Sequence, residues 1–162
     1  MDKKLVKAFN EQIKNELYSA YLYLSMAAYC ESKNLPGFAH WMKVQAKEEN
    51  THGMKMFGFL VDRSEKVILE TIDKPPAEFV SAGEIFEKVL EHEKKVTGLI
   101  DKLYALSKEV DDNASQVFLH WFINEQVEEE KNAAQILDTI KMIKGESVPL
   151  IMLDRELAKR EG

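Results

Sequence analysis

The stretch from Gln45 to His52 places a carboxylate and an imidazole on a helix face that is otherwise apolar. Members of this face follow one another at steps of three and four residues, the spacing of neighbours on one side of a helix. The face consists of Met42, Gln45, Glu49, His52, Met56 and Phe59. A buried Glu and His one turn apart are costly unless they are paired or bind a cation. The spacing therefore predicts either a metal site with Glu49 and His52 as ligands or a helix that turns both residues to solvent.

Polar residues of the same kinds interrupt three further apolar stripes, at spacings that repeat. In the first half of the chain, Glu49 and His52 follow Glu16 by 33 and 36 residues. In the second half, Gln126 and Glu129 follow Glu93 by the same two distances. Ionised carboxylates at one level would repel one another, since two like charges ~4 Å apart cost about 4 kcal/mol even at an effective dielectric of about 20. Two divalent cations would neutralise four carboxylates, and this ligand set suits iron, manganese or zinc.

The apolar periodicity predicts an all-α fold of four long helices and a short fifth, and the low glycine and proline content agrees with long uninterrupted elements. The predicted helices cover about residues 3–31, 36–63, 82–109, 114–144 and 148–159. The connection from about 64 to 80 contains Pro75-Pro76 and shows no helical period. It can extend ~56 Å, against about 42 Å for a helix of ~28 residues, so it can carry the chain back along a four-helix bundle. Two antiparallel hairpins joined in this way would bring the polar positions into one layer.

We expect one domain over residues 1–162, with the bundle at about 3–144, the crossover at about 64–80 and the fifth helix at about 147–160. Ser81 is a candidate N-cap of the third helix, and the run Asp111-Asp112-Asn113 supplies one for the fourth. The short fifth helix is amphipathic and has no evident face of the bundle left to cover. We therefore expect it to contact another subunit.

Composition excludes several classes of partner. The formal net charge of -6 argues against nucleic acid. The single cysteine, Cys30, allows neither a disulfide within the chain nor a Cys-x-x-Cys pair. No apolar run approaches the ~18 residues needed to span a membrane. The chain starts with an amphipathic pattern in place of a signal-peptide core, so we expect a cytoplasmic protein.

The chain resembles the non-haem ferritins of bacteria and archaea over its whole length, including the fifth helix. The resemblance rests on segments that are specific when taken together: Asn15-Glu16-Leu17-Tyr18, Glu48-Glu49-Asn50-Thr51-His52, His92-Glu93, and Trp121 with residues 124–131. It implies a ferritin-like bundle that works as a ferroxidase. Fe(II) would bind, O2 or H2O2 would oxidise it, and ferric mineral would collect inside a hollow homo-oligomeric cage of 24 subunits.

The resemblance also implies a role for each ligand, carried over by position. Glu16, Glu49 and His52 would hold one iron. Glu93 and Glu129 would hold a second iron, with Glu49 as the bridge. Ions in two-metal sites lie roughly 3.5–4 Å apart, which is the geometry that two-electron reduction of O2 needs.

Further residues match positions around the family's di-iron centre. Gln126 matches a glutamine that lies beside the first iron and hydrogen-bonds near the oxygen site. Tyr23 matches a tyrosine that can donate an electron, and Trp121 matches a nearby tryptophan, although both would also serve as core aromatic residues. The resemblance implies a third iron site, whose members would be Glu48, Glu125, Glu128 and Glu129. An acidic run of this kind also fits a solvated helix face.

Departures from related families narrow the resemblance. Gln126 and Glu129 stand where bacterioferritins carry Glu-x-x-His, which favours a site that loads iron and passes it on over a permanent di-iron cofactor. Asn50 stands where those proteins place a haem-ligand methionine, so we expect no haem. With Cys30 alone, the rubredoxin-type iron of rubrerythrins is excluded.

Two other functions remain open from the sequence. The same ligands could serve a dimeric di-metal carboxylate oxidase or peroxidase acting on an organic substrate, with about two metals per chain. A non-enzymatic helical bundle would bind no metal. Away from the ligand stripes, we expect His40, His92 and His120 at the surface or in an interface, and Met54 and Met56 in the core.

Overall fold

The computed structural model describes residues 1–145 and 147–161, which contain five α-helices and no strand. The helices are α1 (Lys3–Ser32), α2 (Pro36–Asp62), α3 (Ala82–Glu109), α4 (Asn113–Ile143) and α5 (Ser147–Leu157). This confirms the all-α prediction of a four-helix bundle with a short fifth helix, and the helix ends agree with the predicted ones to within two residues. None of the described helices has the combined length and apolarity that crossing a bilayer requires.

Side-chain caps fix where two of the long helices begin. Ser81 Oγ accepts a hydrogen bond from the Glu84 N–H at 3.1 Å, and Asp112 Oδ1 accepts one from the Ser115 N–H at 2.9 Å. Asp112 also receives both guanidinium nitrogens of Arg63, at 3.0 and 2.9 Å, which ties the end of α2 to the start of α4. Both caps lie where the sequence predicts them.

The long crossover runs beside α1. At its start, Asn10 Oδ1 accepts from the Ile68 N–H at 2.7 Å. Towards its end, Ser25 Oγ donates to the carbonyl of Pro76 at 2.6 Å, and Phe79 packs in the core against Tyr29. The crossover therefore covers most of the length of α1 and delivers α3 to the opposite end of the bundle, as the sequence predicts.

The core consists of two apolar clusters separated by a polar layer. One cluster includes Phe9, Met56 and Phe122, and the other includes Met26 and Phe38. The polar layer between them holds the residues that the spacing singled out, described below. Such a polar layer divides the apolar core in two. Its buried polar groups therefore need hydrogen bonds or bound cations to offset the cost of removing them from water.

The apolar stripes drift slightly from the predicted positions. Phe59, placed on the inward stripe, is only half-buried, whereas its neighbour Leu60 is fully buried. A helix repeats every 3.6 residues, so a stripe read at steps of three and four rotates over several turns. The core prediction for Met54 is wrong, because 50% of that residue is exposed, while Met56 is fully buried. His92 is half-buried between α1 and α3, with its Nε2 2.8 Å from Ser19 Oγ.

Helix α5 docks on the start of α2. Asp154 Oδ1 accepts hydrogen bonds from the N–H groups of Gly37 and Phe38, at 2.8 and 3.0 Å, and Leu157 is buried. Because the N-cap residue of α2, Leu35, makes no side-chain cap, Asp154 supplies the missing acceptor at a helix end that favours negative charge. The expectation that α5 has no face of the bundle to cover is therefore wrong. Its other side still exposes Val148, Ile151 and Met152.

Gly37 allows the close approach of α5, which leads to a prediction with an internal control. A Cβ at Gly37 would lie 1.6 Å from the carbonyl oxygen of Asp154, whereas a Cβ at Gly58 in the same helix would meet nothing within 4 Å. We expect Gly37→Ala to lower the free energy of unfolding by about 1–3 kcal/mol through overpacking. Gly58→Ala should raise it by roughly 0.5–1 kcal/mol. Urea unfolding of both variants tests this, and equal shifts would contradict the docking of α5.

Candidate metal centre

All four long helices contribute to the polar layer, and every contributor is buried. Its members are Glu16 on α1, Glu49 and His52 on α2, Glu93 on α3, and Gln126 and Glu129 on α4. Their exposed fractions lie between 1% and 5%. The alternative in which Glu49 and His52 face solvent is therefore wrong. Each residue points inward because it occupies a core-facing position of an otherwise apolar stripe.

Three of these residues form a compact ligand group. Glu16, Glu49 and His52 each offer one ligand atom, and these atoms all lie within 4.8 Å of one another, the only such group in the described part of the chain. His52 Nδ1 lies 3.5 Å from Glu49 Oε2. That oxygen is buried and has no hydrogen-bond partner among the described atoms. A buried carboxylate oxygen without a partner is costly, and a bound cation would remove the cost.

Hydrogen bonds hold the other two carboxylates. Gln126 Nε2 donates to Glu93 Oε2 at 3.2 Å, and the Tyr23 hydroxyl donates to Glu93 Oε1. Gln45 Nε2 donates to Glu129 Oε2 at 2.7 Å. Gln126 and Tyr23 thus orient the Glu93 carboxylate by donating hydrogen bonds to it.

Two glutamines to which the sequence analysis assigns no role support the metal ligands. Gln12 Nε2 donates to Glu16 Oε1 at 2.8 Å, and Gln45 Nε2 reaches Glu49 Oε1 at 3.3 Å. Gln45 therefore joins Glu49 to Glu129 across two helices. A signal was present in the sequence, because each glutamine stands four residues before a predicted ligand and so lies one turn away on the same face.

The crowding of carboxyl groups shifts their proton affinities. Burial, and then the charge of Glu49, raises the pKa of Glu16 well above its usual value. Burial, followed by the negative charge of Glu93, likewise raises the pKa of Glu49 well above its usual value. Burial raises the pKa of Glu93 as well, and burial with Glu93 raises the pKa of Glu129 to about 7. Without a cation, the layer therefore keeps protons at neutral pH that metal ions would displace.

These pKa shifts predict how the stability of the metal-free protein depends on pH. The unfolded Glu129 side chain ionises near its ordinary pKa of 4.5, whereas the folded one keeps its proton up to about 7. The folded state thus binds more protons in this window, and its stability falls as pH rises through it. We expect unfolding in the presence of a chelator to show this fall and Glu129→Gln to reduce it. Glu128→Gln, at an exposed neighbour, is the control, and equal pH slopes in both variants would contradict the prediction.

The residues predicted for a third iron site are only partly brought together. Glu48 and Glu125 line a cavity of about 290 Å³ whose wall includes His52, and Glu125 Oε1 lies 3.9 Å from His52 Nε2. Glu128 is exposed to solvent. Trp121 packs edge-on against the His52 ring, with centroids 5.3 Å apart.

The comparison with family models decides what kind of bundle this is. Residues 6–143, which include the whole polar layer and all of the four long helices except the first three residues of α1, match the ferritin-like domain. The chain belongs to the ferritin family. The buried carboxylates of this ferritin thus lie within the matched domain, and the predicted resemblance is confirmed.

Relatives and solved structures agree over almost the full length of this ferritin. A bacterial non-heme ferritin of Staphylococcus epidermidis is 39% identical over 160 residues, covering 99% of this chain and 96% of the relative. One of Bacteroides fragilis is also 39% identical, with 99% of each chain covered. The open-pore ferritin of the hyperthermophilic archaeon Archaeoglobus fulgidus superposes with a TM-score of 0.98 at 44% identity, over 99% of this chain and 98% of that one. These matches place the chain among the non-haem ferritins.

Proposed function

We propose that this ferritin oxidises Fe(II) with O2 at the polar layer and stores the ferric product inside a cage of identical chains, 24 in number. Iron storage with ferroxidase activity is what its non-haem ferritin relatives support. The observation that carries the proposal is the layer itself, in which four buried carboxyl groups and one imidazole share the centre of the bundle. A bundle without metal would gain nothing from this arrangement, since each buried carboxylate lowers its stability.

The first Fe(II) ion is the substrate of the compact ligand group. Glu16 and His52 would hold it from two helices, and Glu49 would contribute the oxygen that has no partner in this structure. Oxygen and imidazole donors suit iron. The hydrogen bond from Gln12 to Glu16 leaves the second oxygen of Glu16 for the ion.

A second Fe(II) ion would bind between Glu93 and Glu129. Glu49 lies between the two groups of ligands. One of its oxygens is within 4.8 Å of the ligand atoms of Glu16 and His52, and Gln45 hydrogen-bonds to both Glu49 and Glu129. We assign Glu49 as the bridging ligand for that reason. Gln126 would keep Glu93 oriented through its amide group.

The numbers of electrons and protons in the reaction are consistent with two Fe(II) ions at this site. Two Fe(II) ions supply the two electrons that reduce one O2 to H2O2, a step that also consumes two protons. Carboxyl groups such as Glu129, with a pKa of about 7, release protons as the cations bind. The two-electron balance needs no electron from Tyr23, whose hydroxyl donates a hydrogen bond to Glu93 and so orients that ligand.

The oxidised iron would leave the layer along the cavity beside His52. Glu48 and Glu125 line this cavity and offer oxygen ligands outside the first group. Glu129 stands where bacterioferritins carry a histidine, and Gln126 where they carry a glutamate, so the layer lacks the second imidazole and the further carboxylate that would hold iron more permanently. The layer therefore passes its product on, which a storage protein requires.

Stoichiometry tests the proposal. We expect anaerobic Fe(II) titration to reach two tightly bound ions per chain, and admission of air to consume about one O2 per two ions. Glu16→Ala should remove one of the two tight sites, whereas Glu11→Ala, at an exposed position of the same helix, should keep both. Failure of the wild-type protein to bind Fe(II) tightly would contradict the ferroxidase assignment.

A further inference from the structure

Arg160 follows the end of α5 and lies against α2, beside the predicted third iron site. Its guanidinium donates to Glu48, and its backbone carbonyl accepts from His40 Nε2 at 2.8 Å. The carbon at the centre of the guanidinium lies 4.4 Å from the centroid of the Trp41 ring. Only 19% of the Arg160 side chain is exposed. These contacts hold a positive charge largely out of water, in a fixed place.

The docking of α5 determines where Arg160 lies. Asp154 caps α2 and Leu157 is buried, which anchors the last turn of α5 to the bundle. The N–H of Ala158 then donates to the carbonyl of Asp154 at 3.1 Å, and that of Arg160 to the carbonyl of Leu157 at 3.3 Å. The chain turns tightly after the helix and brings the guanidinium to Glu48.

Arg160 lies beside a pair of carboxylates that we call the outer acidic group, consisting of Glu48 and Glu125. Glu48 and Glu125 line the cavity beside His52. The guanidinium is thus a cation that the chain itself supplies to this group.

We propose that Arg160 is the internal counterion of the outer acidic group and competes with iron for Glu48. This inference rests on the proposed function, because the competing ion is the Fe(II) that the layer takes up. A guanidinium donates its hydrogen bonds to carboxylate oxygens, and a metal ion needs the same oxygens as ligands. Arg160 holds Oε2 of Glu48, so an iron ion gains this oxygen, and avoids repulsion by the guanidinium charge, only when Arg160 leaves it. Iron is held weakly at this position while α5 is docked, which favours its onward transfer.

Anaerobic calorimetric titration of the assembled protein with Fe(II) tests the competition. Arg160→Gln removes the charge, Arg160→Lys keeps a cation, and Lys159→Gln is the matched control, since Lys159 is 71% exposed and pairs with Glu156. We expect two tight binding steps in every variant and a weaker third step in the wild type. Arg160→Gln should strengthen the third step about tenfold, the scale of one charge-assisted hydrogen bond. Arg160→Lys and Lys159→Gln should stay close to the wild type.

A purely structural role for Arg160 would give a different result. Loss of an anchor would lower the melting temperature of Arg160→Gln and leave the third step unchanged, and that outcome would overturn the proposal. So would the absence of a third step in both the wild type and Arg160→Gln. In a Glu48→Gln background, Arg160→Gln should bring no gain, and a gain that persists there would also contradict competition for Glu48. If the wild type lacks the two tight steps, the proposed function fails. If both tight steps are present but the third step is unchanged in Arg160→Gln, only the role of Arg160 is contradicted.

Discussion

Glu49→Gln is expected to slow Fe(II) oxidation by at least about 100-fold, because substitutions of residues that merely support metal ligands already cost about 10- to 100-fold. Glu49 is the proposed bridge between the two iron ions, and an amide would replace its negative charge with a neutral group. The same change should make the metal-free protein more stable at neutral pH. The reason is that the Glu49 carboxylate is buried and has an oxygen without a partner. Its pKa is raised, first by burial and then by the charge of Glu93.

The gain in stability should be at least about 1 kcal/mol, because the amide removes a buried charge, and leaving even a neutral buried polar group without a partner costs about 1–3 kcal/mol. It should disappear below the ordinary pKa of 4.5, where Glu49 is protonated in both the folded and the unfolded protein. Initial oxidation rates and chelator-treated unfolding curves measure the two effects. Glu11→Gln, at a residue whose side chain is 54% exposed, is the control for both. A variant that loses stability together with activity would indicate misfolding and would count against a bridging role.

The second large effect is expected from the exposed side of α5. Ile151 and Met152 are 50% and 66% exposed, although both are large apolar residues on a helix that is otherwise anchored by Asp154 and Leu157. Changing both exposed residues to Asp should prevent α5 from packing against other subunits. We expect the particle to fall from a cage to small oligomers, with helix content retained.

This double substitution tests assembly more sharply than deletion of residues 146–162. Deletion would also remove the cap on α2 and uncover the core around Leu157. Lys159→Asp, which changes the charge by the same two units at the end of the segment, is the control. Particle mass measured by light scattering decides the matter, and an unchanged mass in the double variant would show that α5 does not join subunits.

The ligands could be predicted because their signal is local. Glu49 and His52 share one helix face, and the same spacing of three residues recurs for Gln126 and Glu129, so helical periodicity alone places each pair on one face. The crossover length then allows only a few arrangements of the two hairpins. These features do not depend on how distant side chains pack.

Contacts between distant parts of the chain could not be predicted in the same way. The cap that Asp154 places on Gly37 joins residues 117 positions apart, and the contact of Arg160 with Glu48 joins residues 112 positions apart. No periodicity records such pairs. Gln45 was visible on the ligand stripe, but its bond to Glu129 depends on the approach of α2 to α4. The final rotation of each stripe depends on packing too, which is why Leu60 lies in the core and Met54 does not.

Iron loading in air tests the central claim most directly. The metal-free protein is given a large excess of Fe(II), passed through a sizing column, and assayed for iron and protein mass in the same fractions. We expect a particle many times the 18.6 kDa of one chain that carries far more iron than its ligands can bind. About two irons per chain on a small oligomer, as a closed two-metal site would hold, would contradict storage and favour a di-metal oxidase.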